Sequence, residues 1–256
     1  MKRLFLAAAL LFASMVAPVY AQQKPTIVLV HGAFAGSSSW NGVVSRLTAK
    51  GYHVIAAANP LRGPGFDGSY VREILKSIDG PVVLVGHSYG GNVITNAANG
   101  ATHVKALVYV SAFAPDAGES AADLAGKFPG STLGAALAPA VELPGGGKDL
   151  YIRQDKFRAQ FAADVSEKEA RLMAVTQRPI AEAALTEAAG NPAWKKIPSW
   201  FAYGTSDRNI PAAAMTFMAE RAAAKETVVI KGASHVLMVS HPEAIAKLIE
   251  RAANSK

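Results

Sequence analysis

Ser88 is the residue in this sequence best placed for covalent chemistry. It sits in Gly86-His87-Ser88-Tyr89-Gly90, a Gly-x-Ser-x-Gly pattern. The apolar run Val82-Val83-Leu84-Val85 precedes it, and a helix-like stretch from Asn92 to Asn99 follows. A strand entering a turn too tight for a Cβ on either flank lifts the serine hydroxyl into the open, which makes a nucleophile elbow. The five-residue pattern alone is weakly specific, and the strand and helix around it carry the reading.

A serine nucleophile needs an imidazole to take its proton and a carboxylate to orient that imidazole. Asp207 lies in Gly204-Thr-Ser-Asp-Arg-Asn-Ile-Pro211, directly after the apolar run at Trp200–Tyr203. His235 lies in Gly232-Ala-Ser-His-Val236, directly after Val228–Ile230. Serine, aspartate and histidine therefore occur in one of the known triad orders, each just past a strand. Asp116 also follows a strand and is the rival acid, with Asp207 preferred. His241 precedes a proline and reads as a helix cap. His87 should point away from its neighbour along the strand. His31, His53 and His103 fall in a turn, at a strand start and in a connection.

An oxyanion hole requires two backbone N–H groups aimed where negative charge develops. Tyr89, after the nucleophile, supplies one, and Ala33 in the loop His31-Gly32-Ala33 after the first strand supplies the other. Phe34 and Phe113 are candidate substrate-binding residues, with Phe128, Leu133, Leu137, Phe157 and Phe161 as further pocket candidates, although apolar residues at such spacing are more often plain core. This chemistry calls for no metal and no organic cofactor.

The elements that must hold these residues are strands alternating with helices. Near-continuous apolar runs at Thr26–Val30, His53–Ala58, Val82–Val85, Val104–Phe113, Ser199–Tyr203 and Thr227–Ile230 predict about six mostly parallel strands covered by helices on both faces. Residues 22–114 and 197–256 form this core. Residues 115–196 show no strand-like run and read as a mainly helical cap insertion, with Pro144-Gly-Gly-Gly147 as a flexible joint and Ser166-Glu-Lys-Glu169 as a capping box.

The chain has 256 residues, 50% hydrophobic and 18% charged, enough for one core and too few charges for disorder. Its net charge of +7 comes without a basic stripe interleaved with aromatics, which argues against a nucleic-acid partner. Lys2 and Arg3, the apolar run Leu4 to Val16 and the small residues of Val19-Tyr20-Ala21 predict a signal peptide over 1–21, cleaved after Ala21. The expected location is the periplasm or the exterior, with no stable membrane insertion after cleavage. Removing Lys2 and Arg3 lowers the charge from +7 to +5. With no cysteine, the exported chain must rely on core burial alone.

Several blocks taken together resemble the plant methylesterase and hydroxynitrile lyase group, with its bacterial esterase relatives, among the α/β-hydrolases. They are His31-Gly-Ala33, the following Ser-Ser-Trp40, Gly86-His-Ser-Tyr-Gly90, Ser111-Ala-Phe-Ala-Pro-Asp116, Asp207-Arg-Asn-Ile-Pro211 and Lys231-Gly-Ala-Ser-His235. The resemblance implies an α/β-hydrolase fold, the triad Ser88, Asp207 and His235, and oxyanion donors at Ala33 and Tyr89. The lyases resemble this chain but carry a lysine after the catalytic histidine, where this chain has Val236, and a threonine near the oxyanion loop, where it has Val30-His31. Both departures favour hydrolysis. The expectation is a carboxylic-ester hydrolase acting on small soluble esters through an acyl-enzyme. A lyase or cofactor-free oxidative enzyme on the same scaffold, or a non-catalytic binding protein, is the alternative. Oligomeric state is not readable.

Overall fold

The computed structural model describes residues 23–255, so the signal-peptide reading of residues 1–21 lies outside the described residues. The core runs β1 (Thr26–Val30), α1 (Asn41–Ala49), β2 (Val54–Ala57), α2 (Pro64–Lys76), β3 (Val82–His87), α3 (Gly90–Ala97) and β4 (Val104–Val110). After an insertion carrying α4 (Ala121–Gly126), α5 (Leu133–Ala136), β5 (Val141–Glu142), β6 (Lys148–Leu150), α6 (Gln154–Phe161), α7 (Glu167–Thr176), β7 (Ile180–Ala181) and α8 (Glu182–Thr186), the core resumes. It closes with β8 (Ser199–Gly204), α9 (Ala212–Arg221), β9 (Glu226–Ile230), α10 (Leu237–Ser240) and α11 (Pro242–Asn254).

The six long strands form one sheet in the order β2-β1-β3-β4-β8-β9, every neighbouring pair parallel. The central strands β1 and β3 are buried at every residue, which is why they read as unbroken apolar runs. Edge strand β9 alternates between partly buried and exposed positions instead. Helices cover the sheet as two groups. α3 lies on β3 and carries α2, while α11 lies on β4 and β8 and carries α1. In α11, Ile245, Ala246, Leu248, Ile249, Ala252 and Ala253 recur at helical spacing and are buried. Each such large side chain contributes about 1.5–3 kcal/mol relative to exposure.

The insertion is helical in most of its elements but holds a feature the sequence did not show. β5, β6 and β7 form a small antiparallel sheet, and Pro144-Gly-Gly-Gly147 is the turn between β5 and β6 rather than a joint between bodies. Strands of two or three residues are too short to display a period of two. Ser166 accepts the Glu169 N–H at 3.2 Å and so caps α7. The reciprocal bonds of a full capping box occur instead at Ser120 and Asp123 on α4. Among the described residues, no helix is long and apolar enough to cross a membrane.

Candidate active site

β3 delivers Ser88 into the turn to α3 with φ at +55°, a left-handed conformation that a non-glycine residue holds only where its surroundings fix it. Its N–H donates to the Val110 carbonyl at 3.2 Å, and its carbonyl accepts the Phe113 N–H at 3.2 Å and the Gly91 N–H at 2.9 Å. Glycine is required at two approaches to this turn. A Cβ on Gly86 would stand 2.6 Å from the Gly90 carbonyl oxygen, and one on Gly32 would stand 2.6 Å from Ser88 Cβ. The His31–Phe34 loop is therefore pressed against the serine, which places Ala33 beside it.

β8 and β9 end side by side and bring in Asp207 and His235. His235 Nδ1 lies 2.6 Å from Asp207 Oδ2, with both side chains shut off from solvent. Asp207 Oδ1 accepts the N–H groups of Asn209 at 2.8 Å and Ile210 at 3.0 Å, so the carboxylate is held from two sides. Because Asp207 can only accept, Nδ1 carries the hydrogen and Nε2 presents its lone pair. Nε2 is buried and has no hydrogen-bond partner among the described residues, and His235 lines the same cavity as Ser88. The rival Asp116 is placed elsewhere, paired to Lys195 at 2.6 Å, and that ammonium holds its carboxyl below the usual range.

Two further histidines lie under the site, both fully buried. His87 does not line the cavity, and it donates from Nε2 to the His235 carbonyl at 3.1 Å. Burial first, then the neighbouring His235, push its pKa well below the ordinary value. His31 Nδ1 donates to the Gly32 carbonyl at 2.9 Å, and burial chiefly lowers its pKa to about 4. Arg178 of the insertion reaches His31 Nε2 at 3.5 Å and accepts the Phe34 N–H on its backbone carbonyl at 2.9 Å. Phe34 has φ at +58°. His241 starts α11 without a side-chain cap bond and faces Asp164, which also accepts from Ser234 Oγ.

The cavity has a volume of about 230 Å³ and is mostly apolar. Ser88, His235, Ala33, Tyr89, Phe34 and Phe113 all line it, so the structure brings those sequence-predicted residues together. Of the further candidates, Leu133, Leu137 and Phe161 line it as well. Phe157 does not, being buried against Phe161, and Phe128 packs on Phe217. Ala121, Ala122, Ala125, Leu185, Asn209 and Ile210 complete much of the wall and were not anticipated. Nothing separates the alanines from ordinary helix residues in sequence, whereas the adjacency of Asn209 and Ile210 to Asp207 was a usable signal. Val236 is fully buried and does not line the cavity, whose wall holds no lysine or arginine among the described residues.

A sequence model described as the alpha/beta hydrolase family matches residues 27–248. The chain is 26% identical over 258 residues to Methylesterase 3 of Arabidopsis thaliana, covering 91% of this chain and 97% of that one. It is 35% identical over 106 residues to a carbendazim hydrolyzing esterase of Nocardioides sp. (strain SG-4G), covering 36% of this chain and only 44% of that protein. Among solved structures, polyneuridine aldehyde esterase superposes with a TM-score of 0.78 at 21% identity, covering 91% of this chain and 100% of that one, a likeness of fold.

Proposed function

The chain belongs to the alpha/beta hydrolase family, and from that premise we propose that it is a serine esterase working through Ser88, His235 and Asp207. His235 Nε2 takes the Ser88 proton as Oγ bonds to the ester carbonyl carbon. The carbonyl oxygen becomes an oxyanion held by the N–H groups of Ala33 and Tyr89. The C–O bond to the alcohol then breaks, and protonated His235 returns the proton to the departing oxygen. A water gives a proton to Nε2, attacks the acyl-enzyme and releases the acid, and Ser88 regains its hydrogen. Asp207 fixes the tautomer throughout and offsets the positive charge on the imidazole.

The observation that carries this reading is the Asp207–His235 clamp at 2.6 Å with an unpartnered Nε2 in the cavity that Ser88 lines. Esterases among the relatives support it. The absence of a cation among the described residues of the cavity wall favours ester hydrolysis over elimination of an anion such as cyanide. A cavity of about 230 Å³ suits small esters with an apolar acyl part. Residues 115–196 would act as its cap, and the 1–21 segment would direct export. An assay with p-nitrophenyl acetate and butyrate tests the mechanism: Ser88→Ala should lose at least a thousandfold in kcat, and turnover at the wild-type rate would exclude it. Recovery of a mature protein starting at Gln22 outside the cytoplasm would support export.

A further inference from the structure

Beneath the elbow lies a buried polar network that the proposed mechanism does not use. Tyr89 is 1% exposed, and its phenol donates to Asp67 Oδ2 at 2.8 Å. Asp67, on the first turn of α2, is itself fully buried. Its two oxygens accept the Arg62 N–H at 3.1 Å each, and Oδ2 lies 3.5 Å from the Gly63 N–H. Burial pushes the Asp67 carboxyl up, and these hydrogen bonds with the nearby Arg62 charge oppose that push.

The chain of contacts continues into the cap. Arg62 Nη1 meets Asp149 Oδ1 of β6 at 2.7 Å, and Nη2 reaches the Pro179 carbonyl at 3.5 Å. The preceding residue, Leu61, stands at φ +63° and accepts the Ala181 N–H of β7 at 3.0 Å. A leucine in that conformation costs roughly 1–2 kcal/mol and persists only when held from outside. The loop before α2 is thus fastened to the small cap sheet on one side and to the elbow residue on the other.

We propose that Asp67 is a positioning residue for the oxyanion hole, holding Tyr89 by its phenol while Asp149 of the cap holds Asp67 through Arg62. The physical reason is leverage. The Tyr89 N–H is useful only when aimed at the developing oxyanion, and a misplacement of about 1 Å can cost about 100-fold in rate. Tyr89 is anchored at its backbone by the elbow and at the far end of its side chain by Asp67, which restricts rotation of the peptide between Ser88 and Tyr89. Packing alone would be served by phenylalanine, because a buried hydroxyl must find a partner to offset its desolvation. A carboxylate serving only to cap α2 would satisfy the Arg62 and Gly63 N–H groups without reaching Tyr89.

This inference rests on the esterase reading, so inactivity of Ser88→Ala is established first; an active Ser88→Ala would overturn that reading rather than this one. The test is then Tyr89→Phe, Asp67→Asn and the double variant, assayed on p-nitrophenyl butyrate and with an aryl trifluoromethyl ketone, whose adduct with Ser88 places an oxyanion in the hole. Tyr89→Phe should lower kcat about tenfold with KM within twofold, and should weaken the ketone by the same factor. Asp67→Asn turns an acceptor oxygen into a donor and should act in the same direction. The double variant should be no more than twofold worse than the poorer single one, as expected for partners in one bond. A milder loss of the same kind is expected in Asp149→Asn. Tyr89→Phe with wild-type kcat and ketone affinity would overturn the proposal, as would a loss shared equally by KM or a fall in melting temperature alone. If Asp67→Asn does not fold, Tyr89→Phe decides by itself.

Discussion

On the sheet side of the cavity, Ser88, Asp207 and His235 stand just beyond the C-terminal ends of β3, β8 and β9, neighbouring parts of one parallel sheet in which β3 and β8 are buried throughout and β9 is the edge. On the side of the proposed cap, the wall comes from α4, α5, α6 and α8 of the insertion, elements of four to eight residues, with Ala121, Ala122 and Ala125 presenting small side chains. The sheet side holds polar groups at hydrogen-bond distances, and the cap side offers shape and apolar surface. Reactivity should therefore fail when the first is altered and selectivity should shift when the second is. The Asp67 network is where the two sides meet.

The largest effect that can break this contrast concerns the acid. Asp207→Asn should lower kcat about 10³- to 10⁴-fold by leaving His235 in the wrong tautomer, while Asp116→Asn, paired to Lys195, stays within twofold. Steady-state assays of the two variants check this, and the reverse ranking would move the acid to Asp116. Next comes Gly32→Ala, whose Cβ would stand 2.6 Å from Ser88 Cβ. Displacing the oxyanion loop should cost about 100-fold in kcat, read alongside a melting curve to separate it from unfolding.

The cap side is sharpened by Ala125→Leu, which fills part of the cavity. It should cut turnover of butyrate and longer esters about tenfold relative to acetate and leave acetate within twofold. Equal loss on all esters would mean that the cap positions catalytic groups directly. The smallest effect is on stability. His31 is neutral when folded, with a pKa of about 4, whereas an unfolded histidine titrates near 6.5. The unfolded chain therefore binds the extra proton between those values. This contribution to stability is complete above about pH 6.5 and is lost as pH falls toward 4. Between pH 7 and pH 5 it amounts to roughly 2 kcal/mol, and His87 acts in the same direction. Urea midpoints at the two pH values measure it, and His31→Gln should flatten the dependence.

The same contrast explains what could be read from the chain beforehand. Strands buried on both faces, such as β1, β3 and β8, leave unbroken apolar runs, and the glycines near the ends of β3, β8 and β9 mark the turns, so the sheet, the elbow and the places of Asp207 and His235 were visible in residue order. The pocket residues Phe34 and Phe113 were visible too, because they adjoin β1 and β4. The cap was less legible. Its β5–β6 hairpin has strands of two and three residues, β6 pairs with β7 across some thirty residues, and its alanines have the same pattern whether they face a cavity or a core. Phe157 and Phe161 lie four residues apart on α6, and only one of them reaches the cavity. Asp67 is hidden by the glycines and proline around it, residues whose composition does not announce the first turn of α2. Its link to the cap joins Arg62 to Asp149, a pairing that no local pattern announces.

The central claim, that Ser88 is a nucleophile activated by His235, is tested most directly by reaction with a fluorophosphonate followed by peptide mapping. One equivalent should attach to Ser88, abolish ester turnover in proportion, and fail to attach at a comparable rate in His235→Ala. Full turnover by a protein that takes up no label, or a label carried by another residue, would contradict the account.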